Sequence, residues 1–244
     1  MIELINLTKK YGNLVAVNQL NLSIAKGELF GFIGPNGAGK TTTLRMMGGI
    51  LAPTEGAVII DGINLAEEPE KAKRRIGFIP DRPFLYEKLT GMEFMKFTAD
   101  LYGLDGKVFH QKAQEVLRQF SLTDWANELI ESYSHGLKQR LILSAVILHE
   151  PKIIIVDEPM VGLDPSGIKH VKRLFRDLVR KGTTLFMSTH TLTVAEDICD
   201  RIGIIHRGRL MATGTVEELK RRAQVQEGDL EEVFLALTEG EPSP

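Results

Sequence analysis

The stretch GPNGAGKT, Gly34 to Thr41, fits G-x-x-x-x-G-K-[ST] at every fixed position. The apolar run ELFGFI before it reads as a strand and KTTTLRMM reads as a helix, the context that separates a phosphate-binding loop from a chance match. Glycines let successive backbone N–H groups turn inward around phosphate oxygens, and the helix N-terminus adds its partial positive charge. Gly34, Pro35, Asn36, Gly37, Ala38 and Gly39 therefore read as a nucleotide cradle. Lys40 reaches the β and γ phosphates, Thr41 offers a hydroxyl to Mg2+, and Thr42 follows in the same helical turn.

Three further segments share this chemistry. KIIIVDEP reads as a buried strand with Asp157 at its carboxyl end, placed to hold Mg2+ directly or through water. Glu158, next along, is suited to orient and polarise a water attacking the γ-phosphorus in line; alone, the pair would read as two solvated acids at a strand end. TTLFMSTH is another apolar strand, and its His190 falls where parallel sheets gather ligands. Its imidazole is a donor for a γ-phosphate or a water. Tyr11, in KKYGNLVAV, can stack on a purine, an interaction too base-tolerant to separate ATP from GTP.

Around these motifs the first forty residues alternate in short runs that read as strands and hairpins, and GAVIIDG and RRIGFIP read as further strands. From Asp81 to Ser132 amphipathic helices take over. Thr90 and Glu93 form a capping box, with Phe94, Phe97 and Leu101 recurring behind it as core positions. Ala113, Val116, Leu117 and Phe120 repeat the pattern in the next helix. LILSAVILHEP and SGIKHVKRLFRDLVRKG are helices, RIGIIHRGRLMATG is a hairpin turning at Arg207 and Gly208, and VEELKRRA is helical. GDLEEVFLALTEG is a terminal helix capped through Asp229 and Glu232.

Lys plus Arg number 30 against 32 Asp plus Glu, a formal net charge of -2 that leaves no electrostatic footprint for nucleic acid or an anionic membrane. The single cysteine, Cys199, reads as a packed thiol. The N-terminus lacks a basic region followed by an apolar core, and LILSAVIL and IIIV fall well short of the ~20 residues of a membrane helix. The expectation is a soluble, cytoplasmic protein.

On these residues the chain resembles the ATP-binding subunit of an ABC transporter over nearly its whole length. Tyr11 resembles the family's adenine-stacking aromatic, GPNGAGKT its Walker A and IIIVDE its Walker B with Glu158 as catalytic glutamate. GLDP, Gly162 to Pro165, resembles the D-loop and His190 the switch histidine. The resemblance implies an α/β fold: a P-loop NTPase core with an N-terminal antiparallel β subdomain and an inserted α-helical subdomain. Residues 1–244 would form one domain, with 1–80 and 141–220 as core, 81–140 as the helical subdomain and 221–244 as a C-terminal helix. Glu158, His190 and Lys40 are then the catalytic set, with ATP and Mg2+ as cofactors.

Two positions depart from the family pattern. Asp81 stands where the family has glutamine; it can still meet Mg2+ alongside Thr41 and Asp157, but an ionised carboxylate only accepts hydrogen bonds. Asp81 is expected to transmit nucleotide state to a partner, the alternative being a turn former between Pro80 and Pro83. The family signature Leu-Ser-Gly-Gly-Gln aligns with Tyr133 to Leu137, where Ser134 and Gly136 survive and are implied to face the nucleotide of the other subunit.

The signature variant and LEEVFLALTEG resemble export-type systems with a separate permease. Implied partners are that integral membrane permease and a second ATP-binding subunit, in a homodimer or heterodimer, with no nucleic acid. The protein would sit peripherally on the inner face of the cell membrane. Phe84, Leu85 and Tyr86 in RPFLYEK are a candidate permease contact or a local cap over the helical lobe. The competing classes are a soluble ABC-type ATPase of translation or DNA repair and a phosphotransferase, which would need an acceptor pocket.

Overall fold

Alternating apolar residues near the N-terminus fold into a hairpin, β1 (Ile2–Tyr11) and β2 (Leu14–Ile24), paired antiparallel from Ile2 with Ile24 to Tyr11 with Leu14. This is seen in a computed structural model that describes residues 1–81, 84–225 and 228–238. Next come β3 (Leu29–Ile33), α1 (Lys40–Met47), β4 (Glu55–Ile60), β5 (Ile63–Asn64), α2 (Pro69–Lys73) and β6 (Ile76–Ile79). The helical stretch holds α3 (Gly91–Leu101), α4 (Gly106–Gln119) and α5 (His135–Leu148). β7 (Ile153–Asp157), α6 (Pro165–Arg180), β8 (Thr184–Thr189), α7 (Leu192–Ile198), β9 (Arg201–His206), β10 (Arg209–Gly214), α8 (Val216–Ala223) and α9 (Leu230–Thr238) follow.

Strand pattern decides sheet type. The alternating strands form a four-stranded antiparallel sheet in the order β2-β1-β4-β5, whereas the fully apolar runs form a six-stranded sheet in the order β10-β9-β3-β8-β7-β6. In the second sheet β9, β3, β8, β7 and β6 run parallel, and β10 closes the edge as a hairpin partner of β9. Every residue of β3, β7 and β8 is buried, as a parallel sheet covered on both faces requires. Phe30, Phe32 and Phe186 pack on the antiparallel sheet and α1, with ring centroids 5.3 and 5.7 Å apart. Leu29, Ile154, Val156, Leu185 and Met187 face the opposite way, toward residues of α5 and α6.

The capping box at Thr90 and Glu93 starts α3, with Glu93 Oε2 accepting from Thr90 N at 2.7 Å. The fully buried stripe behind it is Gly91, Met95 and Ala99; of the expected Phe94, Phe97 and Leu101, only Phe94 packs against the core, half-buried. Phe97 is 40% and Leu101 69% exposed. α3 packs against α5, where small and flexible side chains allow close approach; Phe97 turns outward and meets Tyr86 edge-on at 5.4 Å. Ala113, Val116, Leu117 and Phe120 are buried as expected.

Two expected boundaries fall inside helices. The limit between residues 140 and 141 cuts α5, a single uninterrupted helix. The limit between 220 and 221 cuts α8; the two expected tail helices are both present, the chain leaving α8 through a left-handed Gln224 (φ 58°) before α9 begins. Asp229 caps α9, its Oδ1 accepting from the amides of Glu231 and Glu232. The last two residues of the expected terminal helix, Glu239 and Gly240, lie outside the described residues. Cys199 lies over Gly31, where a Cβ would come within 2.7 Å of its Sγ, and burial pushes its thiol up.

His149, just past α5, stacks on Tyr102 with centroids 3.6 Å apart and planes 9° from parallel, its Nε2 3.4 Å from the Ile76 carbonyl. Burial pushes its pKa down to about 4. Because the folded value lies below the unfolded one, this site's stabilisation is complete above about pH 6.5 and is lost as pH falls through about 4, amounting to up to about 3 kcal/mol. Urea unfolding midpoints measured across that window should fall more steeply for the wild type than for His149→Phe, which keeps the stack and cannot be protonated.

Candidate active site at the sheet edge

The parallel register pairs Ile33 with Thr189 and Asp157 with Ser188, so the ends of β3, β7 and β8 lie side by side. The phosphate loop, the Asp157–Glu158 pair and His190 consequently emerge at one carboxyl edge. They line a cleft of about 610 Å³ together with Tyr11, Asp81 and His135. Tyr11, 49% exposed at the tip of the β1–β2 hairpin, forms one wall of this cleft, and Lys9 Nζ lies 5.4 Å from its ring centroid.

Backbone shape sets the loop. Gly39 has φ 105°, and a Cβ there would stand 2.6 Å from the Ala16 carbonyl oxygen, so only glycine fits between the loop and β2. Pro35, Asn36, Gly37, Gly39, Lys40, Thr41 and Thr42 line the cleft. Gly34 and Ala38 serve as its support: a Cβ on Gly34 would meet the Ile205 carbonyl at 2.3 Å, and Ala38 is buried with its carbonyl accepting from Gly208 N at 2.9 Å. Lys40 is buried and its ammonium donates to the Gly34 and Pro35 carbonyls at 2.7 and 3.2 Å. Burial lowers its pKa, opposed by the nearby charges of Glu158 and Asp157.

Asp157 is 3% exposed, yet both of its oxygens are satisfied. Thr41 Oγ1 donates to Oδ2 at 2.9 Å and Ser188 Oγ donates to Oδ1. A hydroxyl and a carboxylate this close supply hard oxygen donors of the kind Mg2+ takes, and that ion characteristically uses one or two protein oxygens with waters and phosphates. Among the described residues there is no group of three or more His, Cys, Asp or Glu that could hold a metal alone. Asp81 borders the same cleft and could add a further oxygen.

Glu158 occupies a left-handed backbone position, φ 48°, at a cost of about 1–3 kcal/mol for a non-glycine residue. Its carboxylate is fixed on both oxygens: Oε1 accepts from His190 N at 2.9 Å and lies 2.7 Å from His190 Nδ1, and Oε2 accepts from Thr189 Oγ1 at 3.1 Å. His190 thus pairs directly with Glu158 as well as bordering the cleft. Ser134 caps α5, its Oγ accepting from Leu137 N at 3.4 Å, and with Gly136 it lies outside this chain's own cleft wall. His135, between them, leans on the GLDP loop; a Cβ on Gly162 would come within 2.6 Å of its ring. Ser188, Thr189, the His135–Gly162 contact and the Gly208 brace escaped the sequence, since each joins residues far apart along the chain. Only the strand ending in Ser-Thr-His hinted at the first two.

Residues 17–161 match the family described as ABC transporter. The chain belongs to that family. It is 37% identical over 97% of its length to the probable multidrug ABC transporter ATP-binding protein YbhF of Escherichia coli (strain K12), and spans 41% of that relative. Among solved structures it resembles an ATP-binding subunit of an ABC transporter, with TM-score 0.92 and 34% identity over 98% of this chain and 99% of that one. It also resembles the dimeric structure of MJ0796, a bacterial ABC transporter cassette, with TM-score 0.81 and 30% identity over 88% and 98%.

Ser188→Ala would leave Asp157 Oδ1 buried without a donor. Chemical denaturation should show a loss of about 1–3 kcal/mol, and Ser188→Thr, which keeps the hydroxyl, should recover part of it.

Proposed function

We propose that this chain is the ATP-hydrolysing motor subunit of an ABC transporter, dimerising around two ATP molecules and driving export through a separate membrane permease. One observation carries the reading: Glu158 is immobilised beside the phosphate loop, while Ser134 and Gly136 present a helix N-terminus away from their own chain's cleft. A carboxylate held at a γ-phosphate suits water attack, and a signature outside its own cleft suits a second copy.

In this reading Tyr11 stacks the adenine, and the amides of Gly37 to Thr42 with Lys40 hold the phosphates. Thr41, Asp157 and Asp81 would hold Mg2+, which when bound neutralises charge on the phosphate oxygens. Glu158 accepts the proton of the attacking water through a carboxylate oriented by Thr189 and His190, and the imidazole is placed to donate to the γ-phosphate or that water. Ser134 and Gly136 complete the partner's site. Residues 1–80 and 141–220 act as core, 81–140 as the helical subdomain and 221–244 as the C-terminal helical segment; 82–83, 226–227 and 239–244 lie outside the described residues.

The permease reading rests on a second cleft of about 950 Å³ lined by Phe84, Leu85, Tyr86, Phe97, Ile142 and Asp81, with Phe84 80% exposed. Arg82 and Pro83, part of the expected contact, lie outside the described residues. Exposed aromatics beside a cleft suit an amphipathic helix of a membrane partner better than free solvent. Asp81 and His135 border both clefts, which suits a route for nucleotide state from one to the other. No helix among the described residues is long and apolar enough to cross a membrane. The multidrug relative supports export as the direction.

Glu158→Gln should lower ATP turnover by about 10²–10⁴-fold while nucleotide binding persists and gel filtration with Mg·ATP shows a dimer; a monomer at saturating ATP would count against the motor. Tyr11→Ala should weaken ATP binding roughly tenfold, within the range for a base-stacking aromatic, with little change in turnover at saturation. Asp81→Ala should change permease-stimulated turnover more than basal turnover, and a basal rate and a stimulation both unchanged from the wild type would dismiss its transmitting role.

A further inference from the structure

Away from the nucleotide cleft, α5 and α6 border another concave surface of about 820 Å³. Arg140 from α5 and Lys169, Lys172, Arg173, Arg176 and Arg180 from α6 line it, on a chain whose net charge is -2. The two carboxylates on its wall are already engaged. Asp197 pairs with Lys172 at 2.8 Å and Arg176 at 3.1 Å, and Asp177 pairs with Arg180 at 3.5 Å. Among the described residues, no carboxylate comes within ion-pair distance of Arg140, Lys169 or Arg173.

Two of these unpaired cations converge. Arg173 Nη2 lies 3.4 Å from His170 Nδ1. Burial, then the charges of Arg173 and Arg140, hold the His170 imidazole below its ordinary pKa, so guanidinium groups from two different helices act on one ring. Lys169, Arg173, Arg176 and Arg180 are exposed along α6, and the half-buried Arg140 of α5 lines the same hollow, so cations from two elements border one concave surface. Guanidinium forks match phosphate oxygens two at a time, lysine adds a point charge, and the hydroxyls of Ser121 and Ser166 border the same hollow as further donors.

We propose that this cleft binds a multiply phosphorylated anion, held between Arg140 and Arg173 with Lys169 at the rim. The anion joins α5, which begins at the signature, to α6, which begins at the GLDP loop. Its source is either a soluble polyphosphate or a lipid headgroup of the same chemistry.

The test uses the full chain saturated with Mg·ADP, so that the phosphate loop is filled. Calorimetric titration with inorganic tripolyphosphate should show one further binding event, weakened by at least about tenfold in Arg140→Gln/Arg173→Gln and by rising salt. Lys169→Glu, on the exposed rim, should weaken it several-fold and serves as the readout should the double variant not fold. Co-sedimentation with phosphatidylcholine vesicles carrying phosphatidylinositol bisphosphate separates the sources: substitution-sensitive vesicle binding assigns a headgroup, and tripolyphosphate binding without it assigns a soluble anion. Absence of both kinds of binding in the wild type, or binding undiminished in Lys169→Glu and any folded double variant, overturns the proposal.

Discussion

Asp157 carries a carboxylate almost wholly withdrawn from water, and the fold tolerates it because Thr41 and Ser188 each supply a hydroxyl. An unpaired charge at this depth would cost several kcal/mol. The hydroxyls come from the first turn of α1 and the end of β8, so satisfying Asp157 requires the phosphate loop and the β7–β8 register to be correct together. A one-residue slip of β8 would turn Ser188 to the opposite face and leave the carboxylate bare. Stability and chemistry therefore depend on the same three side chains. Lys40, whose own burial is eased by the charges of Glu158 and Asp157, belongs to the same balance.

Motifs that live within a few consecutive residues were legible before any coordinates. The strand-loop-helix around Gly34 to Thr41, the apolar runs ending at Asp157 and His190, the capping box at Thr90 and the two-residue turn at Arg207 and Gly208 all follow from local rules. What stayed hidden needs distance. The grip of Thr189 and His190 on Glu158 joins positions 31 and 32 apart along the chain. α3 shows the limit of periodicity: the stripe at 94, 97 and 101 and the stripe at 91, 95 and 99 overlap on one helix. Met95 and Ala99 are fully buried and Phe97 and Leu101 are exposed, an outcome set by where α5 packs and not contained in α3 alone.

Asp81 and, from the signature stretch, His135 fall on the wall shared by the nucleotide cleft and the aromatic cleft. They are far apart in sequence but adjacent in consequence. One end of that wall meets the GLDP loop through the His135 ring on Gly162.

α5 runs unbroken from His135 to Leu148, roughly 21 Å at the usual rise per residue. Its far end leaves no slack: a Cβ on Gly77 of β6 would strike Val146 at 2.4 Å, so the helix sits directly on strand backbone. Mechanically it is a connecting rod, stiff along its axis and seated hard at one end. Movement of the first turn cannot be absorbed within the rod and must reappear as tilt about that seat, carrying α3, packed on its flank, with it.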